Sequence, residues 1–179
     1  LGLDLSDPNI KDTPDRMTRM YREFFEPKDV NLTVFDNEDV FPNTEGFDEM
    51  ILFDSIPVTS ICEHHFIPFL GMAHFLYIPD KKIVGASKPA RLFDKYSRRP
   101  QVQERLAKQV MKEFNDVVQP VGTMIVYKSL HTCMMCRGIR QMTGGGMTTS
   151  LVSGAFKESV ATRSEGLALI SMAINKRTI

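Results

Sequence analysis

Two short segments, Cys62-Glu63-His64-His65 and His131-Thr132-Cys133, hold five of the seven cysteines and histidines in this chain. If they share a task, the fold has to close a long loop to bring them together. Cysteine thiolate and neutral imidazole are the usual ligands of zinc, and a C-x-x-H pair lets both reach one ion from a tight turn. Cys62 and His65 form such a pair, and Cys133 offers a third ligand. Three protein ligands leave a tetrahedral position open, which is what separates a catalytic zinc from a structural one. His64 and His131 would then stand beside the metal, able to move protons near neutral pH.

Other readings of the same residues stay open at this level. Free cysteine often packs as a small hydrophobe, which would make the clustering accidental. Cys133-Met134-Met135-Cys136 is itself C-x-x-C, and with Cys62 and His65 it would close a Cys₃His structural site with no room for water. On a strand, residues three apart point to opposite faces, so Cys136 would need a turn to reach the ion. The zinc deaminase pattern, H-x-E with P-C-x-x-C, is absent, since Glu63 directly follows Cys62 and Thr132 precedes Cys133.

The 179 residues suffice for one compact α+β unit with a real core. Lys+Arg and Asp+Glu balance at 22 each, so net charge gives no reason to expect a nucleic-acid or membrane surface, and an anion site must be local. No apolar run approaches the roughly 18 residues of a membrane span. Three cysteines with no basic-then-apolar leader predict a reducing, cytoplasmic setting and metal or catalytic use.

The periodicity predicts a helix from Thr13-Pro14 with Met17, Met20, Tyr21, Phe24 and Phe25 on one side, leaving at Glu26-Pro27. Residues 29–49 show no period. Strands are predicted over 50–60, 71–78 and 82–86, with a hairpin through 62–70. Ser87 is a candidate cap for a helix over 88–98, and Pro100 opens a longer one with Val102, Leu106, Val110, Phe114 and Val117 as its stripe. A strand over 123–130 would carry His131 and Cys133 to the metal, and 148–156 reads as the last strand. Thr162-x-x-Glu165 is a capping box before a C-terminal helix. The order implies an α+β fold, antiparallel strands with helices on one face, with residues 1–49 as helix and connection ahead of a main unit over 50–179.

Ser87-Lys88-x-x-Arg91 opens a helix, with Arg137 beside the second metal segment, and helix N-termini and basic side chains favour phosphate. A capped, solvated basic face would look the same. Glu104 sits in a first helical turn, where the dipole alone favours it, yet a carboxylate also pairs with the N–H donors of a guanine edge. His74, mid-strand in an apolar run, reads as a core or edge histidine, and Arg98-Arg99 as surface.

Taken together, Ser60-Ile61-Cys62-Glu63-His64-His65-Phe66, Gly85-x-Ser87-Lys88, Arg99-Pro100-Gln101-Val102-Gln103-Glu104-Arg105-Leu106 and His131-x-Cys133-x-x-x-Arg137-Gly138 closely resemble GTP cyclohydrolase I. The resemblance runs from about Thr13-Pro14-x-Arg16 to Thr162-Arg163-x-Glu165. It implies hydrolytic opening of the GTP imidazole ring, release of C8 as formate and ribose rearrangement to 7,8-dihydroneopterin triphosphate. It also implies Zn²⁺ on Cys62, His65 and Cys133, activating the hydrolytic water. By the same resemblance His131 would protonate purine N7, His64 would assist proton transfers near the ribose, and Ser87 the rearrangement. Glu104, with Gln103 beside it, would hold the guanine edge, while Lys88, Arg91 and Arg137 would hold the triphosphate and Arg16 would reach a phosphate from a neighbouring subunit. The implied architecture is the tunnelling (T-) fold in a toroidal homodecamer, with sites where subunits meet.

Two departures stand out. Cys136 adds a thiol beside the metal segment, at a position that is not a ligand in the family pattern. Gly144-Gly145-Gly146-Met147 replaces a more Ser/Thr-rich stretch, and three glycines predict a mobile loop near the site.

Overall fold

A computed structural model describes residues 2–25, 34–35, 39–141 and 146–175 of the chain. The Glu26-Pro27 exit and Gly144-Gly145 lie outside the described residues. The elements are α1 (Thr13–Phe25), β1 (Val40–Pro42), β2 (Ile51–Cys62), β3 (Pro68–Ile78), β4 (Lys82–Val84) and α2 (Lys88–Ser97), then β5 (Pro100–Gln101) and α3 (Gln103–Val118). They end with β6 (Gly122–His131), α4 (Thr132–Met135), β7 (Met147–Gly154), α5 (Ala155–Glu158) and α6 (Val160–Asn175).

Five strands form one sheet in the order β5-β2-β3-β6-β7, and β1 pairs with β4 in a small separate ribbon. The β2–β3, β3–β6 and β6–β7 pairs are antiparallel. Alternation along the strands sends Phe69, Ala73, Phe75, Tyr77, Ile125 and Tyr127 to one face, where they pack on Leu92 and Phe93 of α2 and on Leu106, Val110 and Phe114 of α3. Phe114 stands edge-on to Phe75 and Tyr77, with ring centroids 4.6 and 5.2 Å away. Each of these buried rings contributes roughly 1.5–3 kcal/mol of apolar transfer, so this face is where the sheet is held.

The expected single helical face needs correcting. Leu76 and Met124 point to the opposite side, where they meet Phe156 and Ile170, the latter from α6. Gly166 allows that approach, because a Cβ there would lie 3.0 Å from the Phe156 ring and 3.3 Å from the Met124 sulfur. The apolar residues of α6 were legible, but nothing in their spacing says which face of a sheet they cover.

Other differences are local. Pro100 does not open a helix: Pro100 and Gln101 pair in parallel with Ile61 and Cys62, and α3 begins at Gln103 behind an extended Val102. A proline lacks the N–H of an inner ladder but fits an edge. α6 begins at Val160, before the Thr162 box, and the Thr162 N–H donates to Ser159 Oγ at 3.2 Å. The last strand stops at Gly154 (φ +53°), and Phe156 belongs to α5. β1 lies within the stretch that showed no period. His74 is buried, as a core position would be, and its Nδ1 accepts the Ser55 N–H at 3.2 Å beside the irregularity between Phe53 and Ile56.

Candidate metal centre and active site

β2 ends at Cys62, and a tight turn returns the chain to β3. Cys62 O accepts from the N–H groups of both His65 (3.3 Å) and Phe66 (2.8 Å), which coils the turn and turns His65 back toward Cys62. Phe66 holds a positive φ of 53° in this turn. Its carbonyl accepts from Tyr21 Oη at 2.8 Å, and its ring meets Tyr21 and Phe25 edge-on, so α1 docks on the metal loop. The loop's other side is tied to the start of α3. Glu63 N–H donates to Gln101 O at 3.1 Å, and Arg105 pairs with the Glu63 carboxylate while also donating to Gln101 Oε1 and Pro100 O. This explains β5: two residues of parallel pairing clamp the segment that carries the ligands.

The second metal segment arrives by another route. β6 ends at His131, in register with Phe69, and the chain turns at once into α4, where Cys133 is buried. Thr132 Oγ1 donates to Pro68 O, fixing α4 against the start of β3. Cys133 therefore stands on a helical turn, not on the strand that was expected to carry it.

The three side chains converge. Cys62 Sγ lies 3.6 Å from His65 Nδ1 and 4.0 Å from Cys133 Sγ, and the ligand atoms of all three fall within 4.8 Å of one another. A tetrahedral ion with zinc–sulfur bonds of about 2.3 Å and zinc–nitrogen bonds of about 2.0 Å requires S···S near ~3.8 Å and S···N near ~3.5 Å. The residues fit a zinc ion on geometry and on donor type. Burial, and then the neighbouring Cys62, push the Cys133 thiol up; Arg137 opposes this. A cation between two thiolates removes that conflict. Among the described residues no fourth His, Cys, Asp or Glu joins the cluster.

Cys136 is turned away. It is exposed, and its Sγ lies 2.9 Å from the Thr132 carbonyl, within its own helical turn. A helix would let residues three apart share a side, so the strand argument against Cys136 does not hold; this backbone contact replaces it. Cys136→Ser is expected to retain full metal content and turnover within about 2-fold, as exposed substitutions shift stability by no more than about 0.5 kcal/mol. Metal analysis beside an activity assay checks this, and loss of the metal would show that Cys136 is a ligand.

Around the cluster the predicted residues divide. His131 stacks on Phe69 (centroids 4.7 Å apart, planes 8° from parallel), and its Nε2 lies 2.9 Å from Gln103 Oε1. Burial lowers the His131 pKa, and the Glu104 carboxylate opposes this. Glu104, His64, Ser87, Arg91 and Arg137 are exposed. His64 Nε2 approaches the Glu63 carboxylate at 3.9 Å. Ser87 heads α2 without a side-chain capping bond.

Three residues are engaged otherwise than expected. Lys88 is buried and ion-paired with Asp39, because an ammonium withdrawn from water needs a counter-charge. Gln103 is buried with both ends of its amide bonded inside the protein. Arg16 lies on α1 and pairs with Asp12 at 3.8 Å, on the exposed surface. Sequence reasoning missed Arg105 and Phe69 as supports of the site. Arg105 was visible in the Arg99–Leu106 string, but its use depends on Glu63 folding back to meet it.

The family description GTP cyclohydrolase I matches residues 1–171. The chain is similar to the GTP cyclohydrolase 1 of Streptomyces avermitilis, 44% identical over 177 residues that cover 95% of this chain and 83% of the relative. It is 39% identical to that of Sulfurihydrogenibium sp. over 171 residues, 96% of this chain and 88% of the relative. To that of Saccharomyces cerevisiae it is 40% identical over 173 residues, 95% and 69% respectively.

Proposed function

The chain belongs to the GTP cyclohydrolase I family, and from that premise we propose how its residues carry the reaction. The enzyme acts on GTP, opening the imidazole ring by hydrolysis, releasing C8 as formate and rearranging the ribose to give 7,8-dihydroneopterin triphosphate. The observation that carries the reading is the convergence of Cys62, His65 and Cys133 with no fourth metal-binding side chain among the described residues. Zinc bound there supplies Lewis acidity, which makes water a competent nucleophile near neutral pH.

The chain's own groups do the rest. His131 delivers a proton to purine N7, which draws electron density from C8 and opens it to attack. Exposed Glu104 accepts the N–H donors of the guanine edge, and its negative charge offsets part of the burial that disfavours protonated His131. His64 and the Ser87 hydroxyl serve the ribose rearrangement. Arg91 and Arg137 meet the triphosphate by charge-assisted hydrogen bonds. Lys88 joins them only by exchanging its Asp39 partner for phosphate.

The architecture follows the family as well: a T-fold subunit in a toroidal homodecamer, with sites completed across interfaces. Exposed apolar side chains on α1 (Met17, Met20) and on the strands (Leu70, Met72, Leu130) support burial between subunits. Arg16, on the exposed surface with Asp12, then serves a neighbour. No helix among the described residues is long and apolar enough to cross a membrane, and three free cysteines fit a reducing cytoplasm.

The test is product analysis with GTP, using zinc-loaded and chelator-stripped enzyme. Formate together with the fluorescence of oxidised neopterin, both dependent on zinc, is the expected result. Formamide without neopterin would instead indicate a relative that stops after ring opening.

A further inference from the structure

Gln103 is the most heavily bonded side chain near the site, and its partners fix which end of the amide is which. Nε2 lies 2.9 Å from Tyr127 O, 3.0 Å from Met147 O and 3.0 Å from Thr149 Oγ1. Backbone carbonyls only accept, so this end is the NH₂ group. Oε1 is therefore the end that faces Ser129 Oγ and His131 Nε2. The serine hydroxyl donates to it. An oxygen cannot bond to an unprotonated ring nitrogen, so Nε2 of His131 must carry hydrogen.

The geometry points to Gln103 as a positioning residue that holds His131 in its Nε2–H tautomer and leaves Nδ1 as the atom that exchanges protons with the substrate. This rests on the reading of His131 as the proton-transfer group. Two constraints act on one ring: Phe69 fixes its plane by stacking, and Gln103 fixes its rotation and tautomer from the edge. Glutamate could not replace Gln103, because a carboxylate would face the carbonyls of Tyr127 and Met147 with no hydrogen to donate. The amide also bridges α3, β6 and β7, so the proton-transfer residue is set by the sheet's register and not by a loop.

The experiment is ¹⁵N NMR of histidine-labelled, zinc-loaded protein, with the His131 resonances assigned by His131→Ala, alongside steady-state kinetics of Gln103→Met with GTP. The variant keeps length and removes both hydrogen-bonding ends. The expected result for the neutral ring of the unaltered enzyme is hydrogen on Nε2 and a bare Nδ1, the atom that takes up and gives the transferred proton. Gln103→Met should lose that signature and about 100-fold in kcat, the lower range for a general acid–base group, with KM within about 3-fold. A neutral ring with hydrogen on Nδ1 and a bare Nε2 in the unaltered enzyme overturns the proposal even if the variant fails to fold. So does a variant with unchanged kcat and ring signature. Retained turnover in His131→Ala would instead remove the proton-transfer reading, and with it the catalytic part of this proposal.

Discussion

Cys133→Ala is expected to lose its zinc and more than 100-fold of its turnover. Substitutions one shell out from a metal typically cost about 10–100-fold in affinity or activity, and a direct ligand stands above that range. Cys133 is buried at the head of α4, 4.0 Å from Cys62 Sγ, and its removal leaves only Cys62 and His65 to hold the ion. The segment should stay in place, because Thr132 anchors α4 to Pro68 O independently of the thiol. Elemental analysis and formate release read the two effects separately. Full metal content in the variant would show that the ion has another ligand, with Cys136 the first to suspect.

His131→Ala should show the opposite split, with zinc unchanged and turnover down by about 10²–10⁴-fold, the range for a lost general acid–base group. The ring is two residues from Cys133 but lies outside the cluster. It is stacked on Phe69, bonded to Gln103, and stands outside the Cys62–His65–Cys133 cluster. Deleting it opens a gap over Phe69 without touching a metal-binding atom. Metal content measured on the same sample as kcat decides the matter: loss of zinc would make His131 structural, and retained turnover would end its role as the acid.

The two segments that define the centre were legible because ligand chemistry is local. A C-x-x-H turn and a downstream cysteine announce themselves by residue type, and the structure brings their ligand atoms within 4.8 Å of one another. The strands and helices around them followed from period and from turn residues. What stayed hidden depends on which segments face each other. That Lys88 is buried against Asp39 could not be read from its motif, because Asp39 lies in a stretch with no period. Nor does the string around Gln103 show that β6 and β7 place two carbonyls at one end of its amide and His131 at the other. Pro100 reads as a helix start until its edge pairing with Ile61 shows why the chain needs it extended. Placing α6 on the far side of the sheet needed Leu76 and Met124 to be read in register, which one strand's sequence does not supply.

The claim that governs the account is that the metal has three protein ligands and an open fourth position. Zinc K-edge X-ray absorption on the resting, zinc-loaded enzyme addresses it directly. The account predicts two sulfurs at about 2.3 Å and two lighter ligands at about 2.0 Å, as Cys₂His with one non-protein ligand requires. Three sulfurs would contradict it: they would mean that Cys136 closes the site and that the centre holds the fold without performing the chemistry.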